Sequence, residues 1–173
     1  VVITPEQIVL REAKRNFTCL YLYHYNVDAV IVNRIYPKQA MEGYFSKWIE
    51  LQEKSLSDIK ESFSEVPCFY VELQDKELCG ISALQEVGND IYGESNPNDI
   101  LFKDDIYKIE KEEKMLQIYL PFASKEELSL EQIEDELIIG VKNEVRRFLV
   151  PKEFLKEEIK GAKFEKGYLN IRF

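Results

Sequence analysis

The 173 residues lack the motifs by which many nucleotide-binding enzymes and hydrolases are recognised. They contain no G-x-x-x-x-G-K-[ST], no G-x-G-x-x-G and no G-x-S-x-G. The seven glycines are scattered, so no glycine-rich loop presents consecutive backbone N–H groups to a phosphate. The sequence therefore contains neither a recognisable phosphate-binding loop nor a serine nucleophile elbow.

Histidine and cysteine are also scarce. His24 is the only histidine and has no partner at a fixed spacing, so we expect a surface or helix-end residue rather than a catalyst. Cys19, Cys68 and Cys79 are an odd number of thiols at no metal-ligand spacing, which indicates free thiols in a reducing cytoplasm. The pattern argues against a histidine-based triad and against a His/Cys metal site.

Basic residues and long apolar runs are few. With 23 Lys and Arg against 32 Asp and Glu the net charge is −9, which repels phosphate backbones and anionic lipid, so we expect no nucleic-acid partner. No apolar run approaches the ~18 residues that span a bilayer, and no signal peptide is present, which predicts a cytoplasmic protein without membrane insertion. The chain opens inside an expected strand without an initiator Met, which predicts a piece of a longer protein.

Residues 1–93 alternate strand and helix signals. Strands are expected at residues 1–3, 27–32 and 66–73, and helices at residues 4–26, at about 39–64 and at 80–92. Strands and helices that alternate through short connections predict a parallel sheet with crossover helices. An open sheet of this kind binds its ligand beyond the carboxyl ends of its strands.

The pattern changes after residues 96–99. Apolar residues now alternate with period two, at residues 116–120, 137–141 and 169–173, and turn signals occur at residues 141–144 and 165–167. Short alternating strands joined by hairpins predict a small antiparallel β sandwich. We therefore expect an α/β unit over residues 1–98 and a β unit over residues 104–173.

Polar side chains stand at the ends of two predicted strands. Asn33 and Arg34 directly follow the strand at residues 27–32, and Glu6 lies just past the first strand. An asparagine amide offers one acceptor and two donors, which can pair with the edge of a purine. The alternative is that Asn33 starts a turn and Glu6 caps a helix. The residues alone favour the second interpretation.

At these positions the sequence resembles the ArsA family of arsenical pump-driving ATPases, whose relatives include the guided-entry ATPases that deliver tail-anchored membrane proteins. The matching stretches are residues 2–6, 26–34, 71–73, 77–80, 83–84 and 92–93. Residues 120–123, 135–139, 146–151 and 161–164 resemble the small heat-shock-protein-like (α-crystallin-like) domain of some prokaryotic ArsA-type proteins. The resemblance implies the C-terminal part of a P-loop NTPase-like α/β domain, without its P-loop, followed by a small all-β antiparallel sandwich.

The resemblance also implies which residues contact a nucleotide. The family's adenine-recognising asparagine matches Asn33, next to Arg34; its nucleotide-proximal glutamate matches Glu6; and the loop that packs on the base matches Glu72 and Leu73. Glu72 departs from the family's usual proline, and residue 79 is a cysteine where arginine is common. The P-loop lysine and the two catalytic aspartates have no counterpart here. The resemblance thus implies the adenine end of an ATP site, with Mg²⁺ bound only in a complete protein and no hydrolysis by this chain alone.

For the complete protein the resemblance implies a homodimeric ATPase that acts on a cargo, a membrane protein or another client. Two alternatives stay open. The chain could be a non-catalytic chaperone-like or scaffolding module that binds through an exposed sheet edge of the β unit. It could also be a family member that kept the fold and lost nucleotide binding, to which Glu72 and Cys79 point. An arsenite role lacks support because trivalent arsenic needs clustered thiolates, whereas the three cysteines lie on different predicted elements.

Overall fold

The computed structural model describes residues 1–41, 43–102 and 105–173, and for residues 41 and 44 it describes the backbone alone. Two compact units account for the chain. The N-terminal unit comprises Val1–Ala13 and Val27–Lys103, and the C-terminal unit comprises Lys14–Asn26 and Asp104–Phe173. A single helix therefore contributes residues to both units.

The N-terminal unit contains a parallel three-stranded sheet with helices, as predicted. Its strands are β1 (Val2–Ile3), β2 (Val30–Ile35) and β3 (Cys68–Glu72), in the order β1-β2-β3. Its helices are α1 (Gln7–Leu22), which the C-terminal unit shares, α2 (Ser46–Ser62) and α3 (Ile81–Tyr92). Val30 and Val32 of the central strand are fully buried. This burial agrees with the continuous β-branched sequence of the strand, which is typical of strands covered on both faces.

Helix α1 is shorter than the expected 4–26. It begins at Gln7, not at Thr4, the first residue of the predicted helix. The Leu10 N–H donates to the Glu6 carbonyl, so Glu6 is the residue directly before the first helical turn. It ends at Leu22 because His24 adopts a left-handed φ of 63°. The Tyr25 N–H then donates to the Leu20 carbonyl and the His24 N–H to the Tyr21 carbonyl, which is the Schellman arrangement. Asn26, expected as the last residue, lies beyond this motif.

The second helix also starts later than expected. Residues Lys38–Met41 and Gly43–Phe45 form short 3-10 turns, and the α-helix runs only from Ser46. Gly43 has a left-handed φ of 74°, a conformation that glycine tolerates and an α-helix excludes. Glu42, within the predicted helix, lies outside the described residues.

The apolar positions of the second and third helices are less buried than their spacing predicts. Ile59 is buried, but Phe45 and Trp48 are about half exposed. In α3 no residue is buried, and Ile81 is 76% exposed. Helical periodicity identifies an apolar face, but it does not identify what covers that face.

The C-terminal unit is antiparallel, as predicted. Its strands are β4 (Tyr107–Glu110), β5 (Met115–Tyr119), β6 (Leu128–Ile133), β7 (Glu136–Val141), β8 (Glu144–Leu149), β9 (Gly161–Glu165) and β10 (Tyr168–Arg172). They form two sheets, ordered β4-β5-β10-β9 and β6-β7-β8. The two predicted hairpins are confirmed by the pairs Val141–Glu144 and Glu165–Tyr168. In the second, Lys166 and Gly167 both have positive φ, as a type I′ turn requires.

The core of the C-terminal unit is formed by the alternating residues that the sequence indicated. Leu116, Ile118, Leu137, Ile139 and Ile171 are almost completely buried in it.

The second half of α1 joins that core. Leu22 is fully buried there, and its carbonyl accepts hydrogen bonds from Arg146 Nη1 (2.6 Å) and from the Tyr107 hydroxyl (2.7 Å). The Phe17 ring meets Phe122 edge-on at 5.7 Å. Residues 14–26 are thus a structural part of the β unit.

Candidate functional site

The carboxyl ends of the three parallel strands share one edge of the sheet. Ile35 at the end of β2 pairs with Glu72 at the end of β3, and the Leu73 N–H donates to the Ile35 carbonyl at 2.8 Å. Strand β1 lies on the other side of β2, so Glu6 follows it at the same edge. The sheet topology therefore places all five predicted site residues at the edge where open α/β sheets bind ligands.

The sequence had suggested that Asn33 and Arg34 follow the strand. They lie instead within β2, where they form an irregularity. The pairing register of β2 and β3 shifts between Val32 and Ile35. Arg34 has a left-handed φ of 59°, and a non-glycine residue in that region costs about 1 kcal/mol or more. Bulges of this kind re-aim side chains next to functional sites.

The bulge also orients the Asn33 amide. The Arg34 backbone N–H donates to Asn33 Oδ1 at 2.8 Å, which identifies that atom as the oxygen. Among the described residues Asn33 Nδ2 has no hydrogen-bond partner, and the Asn33 side chain is half-buried. At the ligand edge of the sheet, the Asn33 amide therefore has two N–H donors available. Its oxygen can still accept one further hydrogen bond.

The other predicted site residues are more exposed. Glu6 is exposed before the first turn of α1, and Arg34 is exposed beside Asn33. Glu72 is exposed at the end of β3, where its carbonyl accepts a hydrogen bond from Gln74 Nε2. Leu73 is 41% exposed. Two carboxylates and one guanidinium therefore border this edge.

An apolar cavity of about 290 Å³ lies in the same unit and was not predicted from the sequence. It is lined by Tyr36, Ala40, Phe45, Trp48 and Leu73. Tyr36 directly follows β2 and Leu73 directly follows β3, which places the cavity at the carboxyl edge of the sheet. The signal that could have found it is that Tyr36, Phe45 and Trp48 follow Asn33 within fifteen positions, although helical spacing had placed Phe45 and Trp48 on the apolar face of a predicted helix.

Gln52 fixes the backbone of Tyr36. Its side chain is 7% exposed, its Oε1 accepts from the Tyr36 N–H (2.8 Å) and its Nε2 donates to the Tyr36 carbonyl (3.1 Å). The amide thus forms both hydrogen bonds that a neighbouring strand would form. Sequence reasoning missed Gln52 because a glutamine among charged residues on a helix is normally a surface residue.

The three thiols of this chain are free, and the pKa values of Cys19 and Cys68 are raised. Burial raises the pKa of Cys68, whose thiol faces the carbonyls of Phe63 and Val66. Burial, followed by the charge of Glu144, raises the pKa of Cys19. Both thiols are therefore protonated at neutral pH and are poor nucleophiles.

Within residues 1–41, 43–102 and 105–173, no group of three or more His, Cys, Asp or Glu side chains is arranged to hold a metal ion. None of the helices in this part of the chain is long and apolar enough to cross a bilayer.

The comparison with known proteins agrees with the architecture. Residues 1–93 match the family model described as "Anion-transporting ATPase", and residues 111–173 match the "HSP20-like domain found in ArsA". The chain belongs to the ArsA family. The predicted family and the predicted order of an α/β part and a β part are thereby confirmed.

Individual ArsA-family relatives match the chain along its whole length. It is 35% identical to "Putative arsenical pump-driving ATPase 1" of Aquifex aeolicus, with 99% of this chain and 45% of the relative aligned. It is 30% identical to "Putative arsenical pump-driving ATPase" of Prosthecochloris vibrioformis, with 100% of this chain and 43% of the relative aligned. The chain thus spans less than half the length of these curated relatives.

Proposed function

We propose that this chain contributes the adenine-binding end of the ATP site of an ArsA-type ATPase. The observation that carries the proposal is that Asn33, Glu72 and Leu73 lie at the carboxyl edge of a parallel sheet, where Leu73 also lines an aromatic-walled cavity. Membership of an ATPase family indicates that the ligand is ATP, and open α/β sheets bind their ligands at this edge.

The chemistry of the edge suits adenine. The Asn33 Nδ2 donates to a ring nitrogen of the base, and Asn33 Oδ1 has a lone pair left for the exocyclic amine. The face of the base packs against Leu73 and the aromatic rings of the cavity, since a purine stacks well on such surfaces. The carboxylate of Glu72, which replaces the family's proline, accepts a hydrogen bond from the exocyclic amine or a ribose hydroxyl.

The phosphate end of the site lies outside these 173 residues in this proposal. Phosphoryl transfer depends on charge-stabilising groups and a metal that act on the γ-phosphate. The sequence contains no Walker-type glycine-rich loop, so the P-loop and the catalytic aspartates belong to another part of the complete protein. This chain alone then binds the nucleoside part of ATP and does not hydrolyse it.

In the complete protein, we propose, MgATP hydrolysis is coupled to a cargo or client protein, which could be a membrane protein. We also place that protein in the cytoplasm as a homodimer. The β unit then serves as an interaction module. These proposals rest on family membership and on the ATPase names of the relatives.

Trp48 provides the direct test of adenine binding, because it is the only tryptophan and lines the cavity. We expect adenosine, AMP and ATP to change its fluorescence with similar, weak affinities, since this chain offers no phosphate loop. Guanosine should have a smaller effect. If neither this chain nor a longer form carrying the P-loop responds to any adenine compound in fluorescence or calorimetry, the proposal is wrong.

Asn33→Ala tests the assignment of the base edge. It should abolish the preference for adenosine over guanosine, because the variant loses the amide that pairs with the base. Asn143→Ala, in the exposed hairpin turn after β7, is the matched control and should bind as the unchanged protein does. Equal adenosine binding by all three proteins would remove Asn33 from the site.

A second candidate function, peptide or client binding by the β unit, is favoured by one surface. The outer face of the β6-β7-β8 sheet exposes Ile133 (48%), Val145 (52%) and Leu149 (70%). Exposed apolar residues on one face of a sheet bind extended apolar segments of other proteins. The full chain should then suppress client aggregation, Leu149→Asp should reduce this protection, and Ile109→Asp on the other sheet should not. Absence of protection by the full chain would exclude this function.

A further inference from the structure

Strand β9 is the outermost strand of its sheet. Among the described residues it pairs with β10 alone. It is five residues long, Gly161–Glu165, and all of its residues except Phe164 are exposed. A free strand edge is a template for pairing with another chain unless its sequence prevents this.

The backbone groups that point outward from β9 follow from the pairing of β10. The Leu120 N–H donates to Gly167, and the Phe173 N–H donates to Lys114, so odd-numbered residues of β10 bond to β5. Even-numbered residues of β10 therefore bond to β9, at Gly161, Lys163 and Glu165. The N–H and C=O groups of Ala162 and Phe164 consequently point away from the sheet.

The side chains of β9 are divided between its two faces. Lys163 and Glu165 lie on the outer face, where Lys163 Nζ approaches the Glu165 carboxylate to 2.5 Å. Phe164 lies on the inner face, where it is half-buried against the apolar core. The outer face of this strand thus carries a positive and a negative charge two residues apart.

We propose that β9 pairs antiparallel with β9 of a second copy of this chain, with Phe164 opposite Phe164 of the partner subunit. The outward backbone groups of the two Phe164 residues then form a hydrogen-bonded pair. In the adjoining non-hydrogen-bonded pairs, where side chains are closest, Lys163 faces Glu165 of the partner subunit and Glu165 faces Lys163 of the partner subunit. Two opposite-charge pairs and an extended apolar core result.

The other antiparallel registers that use the same outward groups lack this complementarity. A shift of one residue in each strand puts Lys163 opposite Lys163 of the partner subunit, which is repulsive. A further shift puts Lys163 opposite Gly161 of the partner subunit, which leaves the charges unpaired. The charge pattern of β9 therefore selects a single self-complementary register, as a two-fold interface requires.

Two other strand edges of this unit are partly covered. Gln132 of β6 donates to the Glu157 carbonyl and accepts from the Ile159 N–H, so the segment after Phe154 covers the β6 edge. The Val145 carbonyl of β8 accepts a hydrogen bond from the Tyr23 hydroxyl (3.2 Å). Strand β6 carries no pair of opposite charges at alternate positions. Strand β8 carries Glu144 and Arg146 two residues apart, but the Arg146 guanidinium already bonds the Leu22 carbonyl within the unit.

Charge reversal in this chain tests the interface by sedimentation equilibrium. Lys163→Glu and Glu165→Lys should each raise the dimer dissociation constant about 10- to 100-fold, because two attractive pairs become repulsive. The double variant should restore it. A mixture of the two single variants should form a heterodimer, since the charges of the two strands are again complementary.

Lys108→Glu tests β4, the opposite edge of this sheet, which carries Lys108 and Glu110 in the same alternation. Because Lys108 lies over the Tyr168 ring of the same unit, we expect no change in the dissociation constant. A loss as large as that of Lys163→Glu would overturn the assignment of the interface to β9. Circular dichroism checks that each variant folds, which we expect because both β9 side chains are exposed. A monomer at every concentration overturns the proposal, as does a dimer that none of the reversals weakens. This test is independent of the proposed adenine site: if the double variant restores dimerisation, the β9 interface is supported whether or not the chain binds adenine.

Discussion

Replacement of Gln52 by leucine should destabilise the N-terminal unit. The change removes both hydrogen bonds to Tyr36 while nearly preserving side-chain volume. Each such bond contributes about 1 kcal/mol net, and an N–H or carbonyl left without a partner adds about 1 kcal/mol or more. Water can reach Tyr36, which is 40% exposed, and the leucine gains about 1 kcal/mol from burial. The expected loss in the free energy of unfolding is about 2 kcal/mol.

Urea denaturation measures this loss. Trp48 fluorescence reports on the N-terminal unit, since Trp48 lies one helical turn before Gln52, and circular dichroism reports on the whole chain. Glu53→Leu, at the exposed neighbouring position of the same helix, controls for the introduction of an apolar residue. If Gln52→Leu and Glu53→Leu unfold within about 0.5 kcal/mol of each other, the two bonds to Tyr36 do not hold the cavity wall, and the reasoning is refuted.

Three further predictions concern the C-terminal unit. Arg146→Leu should lower the free energy of unfolding in urea by about 2 kcal/mol, because Arg146 bonds the Leu22 carbonyl and lies over three aromatic rings. The control Arg147→Leu, at an exposed position, should lower it by less than about 0.5 kcal/mol. Equal losses in the two variants would contradict this prediction. Burial raises the pKa of Tyr107 to about 12, so the unfolded state loses its proton first and stability should fall as the pH rises from about 10 to about 12. Tyr107→Phe should flatten that fall, and an unchanged pH profile would count against it. Ile139→Ala, at a fully buried site, should cost about 3 kcal/mol; a loss below about 1 kcal/mol would mean that the core is not packed there.

Most of the architecture could be predicted from the sequence, because it depends on local patterns. The β-branched run that contains Val30 and Val32 indicated a buried central strand, and alternation in the last seventy residues indicated antiparallel sheets. Element boundaries were less accurate. Asn33 falls inside β2, and the second helix starts after Gly43, since a bulge and a left-handed residue leave little trace in apolar periodicity.

The candidate site was only partly visible in the sequence. Asn33 and Glu6 could be named as candidates because polar residues near strand ends have a recognisable position, whereas Glu72 and Leu73 were named from the resemblance alone. The roles of all four stay predictions. Gln52 and the cavity wall at Trp48 could not be named. Their importance depends on contacts with Tyr36 and its neighbours that only folding creates.

Sequence pattern was therefore sufficient for the order of elements, the buried faces of the strands and the family to which the chain belongs. These depend on neighbouring residues and on motif order, which are properties of the linear chain. The tertiary structure alone decided that residues 14–26 of one helix complete the β unit, with Leu22 in its core. A period of 3.6 residues fixes which side of a helix is apolar, but the partner of that side is chosen by packing between residues about a hundred positions apart.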